Sequence, residues 1–137
     1  MSITAEKPGV AASIQSGTIL LVEDQKQVRD VTRQMLQEQG YTVLFAGDAE
    51  AALKVCRLHT GKIDLLVSDV VMPGTNGLAL AERIRTVRPR IRILLYSGLL
   101  PDNAVVGKMR PDADFLPKPF TQDRLVEKVH EILQPTA

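Results

Sequence analysis

The sequence predicts a single α/β domain built on a five-stranded parallel sheet with helices on both faces. Three observations support this. Apolar runs such as Ile19-Leu20-Leu21-Val22 and Leu65-Leu66-Val67 are continuous rather than alternating, as in strands covered on both sides. Stretches with apolar residues at three-and-four spacing separate them. The connections are short, and no 20–50-residue repeat, low-complexity run or second domain interrupts the alternation.

Residues 1–17 mix Ser, Ala, Gly, Pro and Lys without periodicity and read as a flexible leader. The domain is expected over 18–134, with 135–137 as a tail. The first strand is predicted over 18–23. A helix follows over 25–39, with Val28, Val31, Met35 and Leu36 as its inner stripe and Gly40 as its stop. Strand two covers 42–46. Asp48 is placed to cap the second helix, whose inner side carries Ala52, Leu53 and Cys56. Strand three covers 64–68, and a Pro73-Gly74 loop leads to Asn76, which caps the third helix with Leu80, Ala81 and Ile84 inward. Strand four covers 92–96. Segment 102–109, bounded by Pro101 and Pro111, is short for a regular helix. Strand five covers 114–116. The last helix starts after Thr121, with Asp123 in its first turn and a stripe of Leu125, Val129, Ile132 and Leu133.

Composition narrows the function. The chain has 137 residues, enough for one real core, and 45% hydrophobic with 24% charged residues is ordinary for a globular protein. A formal net charge of +1 gives no bulk electrostatic case for nucleic acid or an anionic membrane. With 4% aromatics, stacking on single-stranded bases is also disfavoured. No run approaches the ~20 apolar residues of a membrane span, and no signal-peptide pattern opens the chain. Cys56 is the sole cysteine, so no intrachain disulfide exists; it reads as a small core residue. A cytoplasmic protein is the expectation. His59 and His130 fall at predicted helix ends, away from the strand ends, and read as neither ligands nor phosphohistidines.

The chemistry-bearing residues stand where the apolar runs stop. Glu23-Asp24 closes strand one, Asp69 strand three and Ser97 strand four, and Lys118 follows strand five. In an open parallel sheet the ligand crevice lies beyond the carboxyl ends of the strands, so these groups are expected to converge. Asp24 alone could be only a helix cap, Ser97 a turn residue and Lys118 a solvated cation. Together, three carboxylates would repel one another and hold protons unless compensated. Mg²⁺ suits them, because it takes oxygen ligands and typically uses one or two carboxylates plus a phosphate. Glu23, Asp24 and Asp69 with Lys118 and Mg²⁺ are formally neutral.

At these residues a family resemblance is plain. Ser68-Asp69-Val70-Val71-Met72-Pro73-Gly74-Thr75-Asn76-Gly77 resembles the phosphoacceptor segment of bacterial response regulator receiver domains. Ile19-Leu20-Leu21-Val22-Glu23-Asp24 resembles their acidic first-strand end, Tyr96-Ser97-Gly98 their switch-hydroxyl segment, and Phe115-Leu116-Pro117-Lys118-Pro119-Phe120 their lysine-proline segment. The likeness runs from about residue 18 to 133, and the Val-Val-Met-Pro-Gly and Phe-Leu-Pro-Lys-Pro-Phe wording also resembles receivers attached to hybrid histidine kinases.

The resemblance implies a flavodoxin-like strand order, 2-1-3-4-5. It implies Asp69 as phosphoacceptor, with Ser97 and Lys118 assisting. Mg²⁺ would be held by Glu23, mostly through water, by Asp24 and Asp69, and by the backbone carbonyl of Val71. Ser97 and Phe115 would form the switch, and a cis bond would precede Pro119. The expected partners are a histidine kinase or a histidine-phosphotransfer protein and a downstream protein, with the chain a monomer or weak dimer. Output is expected by protein contact through segment 102–109, strand five and the last helix, or by passing the phosphoryl group to a histidine-phosphotransfer partner, without direct nucleic-acid binding. Val71 and Leu99, two residues beyond Asp69 and Ser97, are apolar and cannot orient a water, which implies slow self-dephosphorylation.

Other classes fit less well. A Mg²⁺-dependent phosphohydrolase resembling haloacid dehalogenases would carry Asp-x-Asp at the end of strand one. A flavin mononucleotide carrier would need a hydroxyl- and amide-rich loop where Glu23-Asp24 stands. A pseudo-receiver adaptor would not need the full five-residue set. No turnover of an external substrate is expected.

Overall fold

The computed structural model describes residues 17–72, 74–97, 113–117 and 120–133, with backbone alone at Met72, Thr75, Ser97, Ala113 and Pro117. Five strands form one parallel sheet: β1 (Thr18–Val22), β2 (Thr42–Ala46), β3 (Leu65–Asp69), β4 (Arg92–Ser97) and β5 (Ala113–Pro117). Their spatial order is β2-β1-β3-β4-β5, as expected. Four helices are described: α1 (Lys26–Glu38), α2 (Ala49–Leu58), α3 (Gly77–Val87) and α4 (Gln122–Leu133).

The continuous apolar runs do what two-sided burial requires. Ile19, Leu20, Leu21 and Val22 are all fully buried, but successive side chains enter different layers. Leu20 and Val22 pack with Leu66, Ile93 and Leu95 under α2 and α3. Ile19 and Leu21 pack with Leu65, Val67 and Leu94 under α1 and α4. Each such Leu or Ile contributes about 1.5–3 kcal/mol of burial, so the two layers supply the main driving force.

Local chemistry sets the helix ends. The Asp48 carboxylate accepts the Ala51 N–H at 2.8 Å, the Asn76 side-chain oxygen accepts the Ala79 N–H at 2.7 Å, and the Thr121 hydroxyl accepts the Arg124 N–H at 3.0 Å. Gly40 stops α1 at φ 103°, a conformation that disfavours any residue with a Cβ. Asp24 caps nothing: the N-cap of α1 is Gln25, without a side-chain bond. The helix-cap reading of Asp24 therefore falls away.

The stripe on α1 needs correction. Val31 is 46% exposed, whereas Thr32 is buried beside Leu36. The helix turns its 32/36 side to the sheet, and Val31 lies outside it. Segment 102–109, Lys118, Pro119 and the leader and tail calls lie outside the described residues, except that Gly17 already accepts the Thr42 N–H at 3.0 Å.

Arg88 closes the end of the domain away from the site. Its guanidinium donates to the carbonyls of Cys56 (2.9 Å) in the last turn of α2, His59 (2.7 Å) at its C-cap and Gly61 (2.6 Å) in the loop beyond. Hydrogen bonds to a charged partner are worth about 1.5–3 kcal/mol. Arg88→Ala is expected to lower unfolding free energy by about 2–3 kcal/mol. A urea titration should show a lower midpoint with unchanged slope.

Candidate functional site

The site lies at the carboxyl ends of β1 and β3, adjacent central strands whose register pairs Val22 with Ser68. Glu23 and Asp24 follow β1 directly, and Asp69 ends β3. One carboxylate oxygen from each of Glu23, Asp24 and Asp69 lies within 4.8 Å of the other two. The convergence expected from residues 45 apart in sequence is therefore present. Glu23 is buried, Asp69 half-buried and Asp24 exposed, so the cluster opens to water on the Asp24 side.

Each acid is held differently. Glu23 is only 2% exposed, where an unpaired carboxylate would be costly. Its Oε2 accepts the Gln25 N–H at 3.1 Å, and its Oε1 accepts a hydrogen bond from the Tyr96 hydroxyl. Its backbone carbonyl accepts from Arg29 Nη1 at 2.9 Å, which anchors the turn between β1 and α1. Burial, then the Glu23 carboxylate beside it, push the Tyr96 hydroxyl far above the ordinary tyrosine range. In this bond the Tyr96 hydroxyl is the donor and the Glu23 carboxylate the acceptor.

Asp69 Oδ1 accepts the Val71 N–H at 3.0 Å. Val71–Met72 pairs antiparallel with Thr75–Asn76 in a small ribbon. Gly74, at φ 80°, makes its turn. The ribbon was absent from the sequence-based expectations, since two-residue strands have no readable period. It leads into α3 at Gly77, whose N–H donates to the Val70 carbonyl at 2.8 Å. A Cβ on Gly77 would sit 2.5 Å from the Asp69 carbonyl oxygen. The start of α3 thus packs directly on the backbone that carries Asp69.

The remaining expected site residues are less fully described. Ser97 ends β4 in register with Pro117 of β5, which places its backbone at the same edge of the sheet; its side chain lies outside the described set. Lys118 lies outside it altogether. Phe115 is half-buried on β5 and packs against the layer under α2 and α3. Val71 is 54% exposed. Cys56 is buried in the core, as expected. Tyr96, Gly77 and Arg29 are contributors that sequence reasoning did not single out. No helix among the described residues is long and apolar enough to cross a membrane.

Known proteins resemble this chain in sequence and fold. The family model for the response regulator receiver domain matches residues 19–130. The sensor kinase CckA of Brucella abortus is 40% identical over 121 residues, covering 87% of this chain and 13% of that protein. The DNA-binding transcriptional regulator NtrC of Azospirillum brasilense is 36% identical over 123 residues, covering 88% of this chain and 25% of that protein. A crystal structure of the receiver domain from the hybrid histidine kinase CckA superposes with a TM-score of 0.73 at 38% identity, covering 86% of this chain and all of that one. The chemotaxis protein CheY4 of Vibrio cholerae, at 24% identity and a TM-score of 0.77, shows the same fold.

The chain belongs to the response regulator receiver domain family, and it is similar to the receivers of hybrid kinases. It is a phospho-accepting module of signal transduction. It spans 13% and 25% of the two curated relatives named above, and about half of others it matches. The family binds Mg²⁺ at an acidic pocket, and the acidic cluster is present here.

Proposed function

We propose that Asp69 takes a phosphoryl group from a phosphohistidine on a partner histidine kinase or phosphotransfer protein, with Mg²⁺ held among Glu23, Asp24 and Asp69. The meeting of these three carboxylates within 4.8 Å at the ends of two central strands carries the reading. The donor set is all oxygen, as a hard cation requires. Two direct ligands of Mg²⁺ are at most about 4.2 Å apart, so a 4.8 Å spread also leaves room for one acid to act through water. Buried Glu23, with protein donors on both oxygens, suits that role; Asp24 and Asp69 suit direct contact, with the Val71 backbone carbonyl as a further ligand.

A carboxylate oxygen of Asp69 attacks phosphorus as the phosphorus–nitrogen bond to imidazole breaks. The products are an aspartyl phosphate and an unphosphorylated histidine. The Val71 N–H fixes one oxygen of Asp69 and so orients the other. Mg²⁺ held by these acids would supply positive charge to offset that of the transferring group. On the family's sequence pattern, Lys118 adds a second positive charge and Ser97 a hydroxyl donor to the phosphoryl group. Ser97 and Phe115 then form the two-state switch that passes the change to a downstream protein. The chain's chemistry is confined to its own phosphorylation and slow hydrolysis.

Acetyl phosphate with Mg²⁺, read by intact mass, tests this. One phosphoryl group is expected, and none when a chelator removes the cation. An unmodified protein would assign the chain to the pseudo-receiver class.

The lifetime follows from Val71, exposed and apolar two residues beyond the acceptor. Val71→Asn is expected to shorten the phosphoryl lifetime about tenfold by orienting an attacking water, less than a positioned general base would achieve. A time course of mass loss after removal of the phosphodonor measures it; an unchanged or longer lifetime counts against the assignment.

A further inference from the structure

Tyr96 makes a long-range contact that the phosphoacceptor chemistry does not explain. It lies on β4, in register with Asp69, and β3 separates it from β1. Its phenol nevertheless reaches across β3 to Glu23, 73 residues away in sequence. The ring is 3% exposed and lies in the layer under α1 and α4. Phe120 meets it edge-on, with ring centroids 5.6 Å apart and planes at 74°. The phenol therefore has little freedom to move.

Glu23 is gripped from two elements, by the Gln25 N–H on one oxygen and Tyr96 on the other. Each carboxylate oxygen has a second lone pair, so both grips leave acceptor capacity toward Asp24 and Asp69. We propose that Tyr96 is a positioning residue for divalent-cation binding, its hydroxyl fixing the Glu23 carboxylate in the orientation in which it meets Asp24 and Asp69. The inference rests on the Mg²⁺ reading above and adds to it a residue on a third strand. Without the hydroxyl, Glu23 Oε1 loses a donor in a nearly dry place and turns toward another, away from the cation. Outer-shell hydrogen bonds of a metal site typically carry 10–100-fold of metal affinity, and because Glu23 acts through water the lower end of that range is expected.

Mg²⁺ titration by calorimetry of wild type, Tyr96→Phe and Tyr41→Phe separates this from a packing role. Tyr96→Phe retains the ring and its contact with Phe120. It should bind Mg²⁺ about tenfold more weakly, while Tyr41→Phe binds as wild type does. Tyrosine emission gives a second readout that needs no change at Tyr96. The chain has two tyrosines and no tryptophan, so Tyr41→Phe leaves Tyr96 as the only strong emitter. An excited phenol is a stronger acid and is quenched by a carboxylate that can take its proton. Mg²⁺ should draw charge from Glu23 and raise the Tyr96 emission, and a chelator should reverse it. If wild type binds no Mg²⁺, the metal-site reading fails and takes this inference with it. If wild type binds but folded Tyr96→Phe matches its affinity within twofold, or Tyr96 emission ignores saturating Mg²⁺, the inference alone is overturned.

Discussion

Asp69→Asn is expected to abolish phosphoryl uptake completely and, in the absence of divalent cations, to make the domain more stable. The loss of uptake follows because an amide cannot act as the attacking carboxylate. The gain in stability follows from crowding. Glu23, Asp24 and Asp69 present oxygens within 4.8 Å of one another. At that separation and an effective dielectric constant near 20, each like-charge contact is worth about 3–4 kcal/mol. Solvent reaches Asp24 and part of Asp69, so about 1–2 kcal/mol should survive screening. Asn keeps an oxygen for the Val71 N–H, so the local geometry is retained. Calorimetry in chelator should show Tm raised by roughly 3–8 °C. Added Mg²⁺ should then stabilise wild type more than the variant. A variant that melts at or below wild type in chelator would mean that the three charges do not crowd one another.

Gly77→Ala is expected to damage both stability and phosphorylation through steric contact with the backbone. The added Cβ would lie 2.5 Å from the Asp69 carbonyl oxygen and 3.1 Å from the Val70 Cα. Neither atom belongs to a flexible side chain that could turn away, so the start of α3 and the end of β3 must separate. Overpacking of this kind costs about 1–3 kcal/mol. The larger effect is positional, because a displacement near 1 Å at a reacting group can cost about 100-fold in rate. Phosphorylation by acetyl phosphate should slow by about 10–100-fold in protein that remains folded by circular dichroism. A folded variant with the wild-type rate would show that α3 does not hold the acceptor in place.

The legible parts of this chain were those set by neighbouring residues. Strands buried on both faces need unbroken apolar runs, and Ile19 to Val22 is one; its closing acids then had to fall at the edge of the sheet. Asp48 and Asn76 are readable as caps because capping is a contact across three residues; for the last helix the sequence places a start after Thr121, and the structure adds the Thr121 hydroxyl as its cap. Val31 departs from the expected stripe because a helix with apolar residues at 28, 31, 35 and 36 offers more than one inward side. Packing against β2 and α4 decided for Thr32 and Leu36. Phe45, exposed on edge strand β2, is covered instead by Arg33, whose guanidinium sits 4.8 Å from its ring. Tyr96 and Gly77 were illegible for a different reason. One acts across three strands and the other touches a carbonyl on another element. Neither relation leaves a local pattern in the sequence.

Locating the phosphoryl group tests the assignment of the acceptor most directly. Protein treated with acetyl phosphate and Mg²⁺ is reduced with borohydride, which converts an acyl phosphate to an alcohol, and its peptides are mapped by mass. The reduced residue should be Asp69 alone. Reduction at Asp24 or Glu23, or at no carboxylate in protein that has gained a phosphoryl group, would contradict the assignment of Asp69 as the acceptor at the mouth of the acidic cluster.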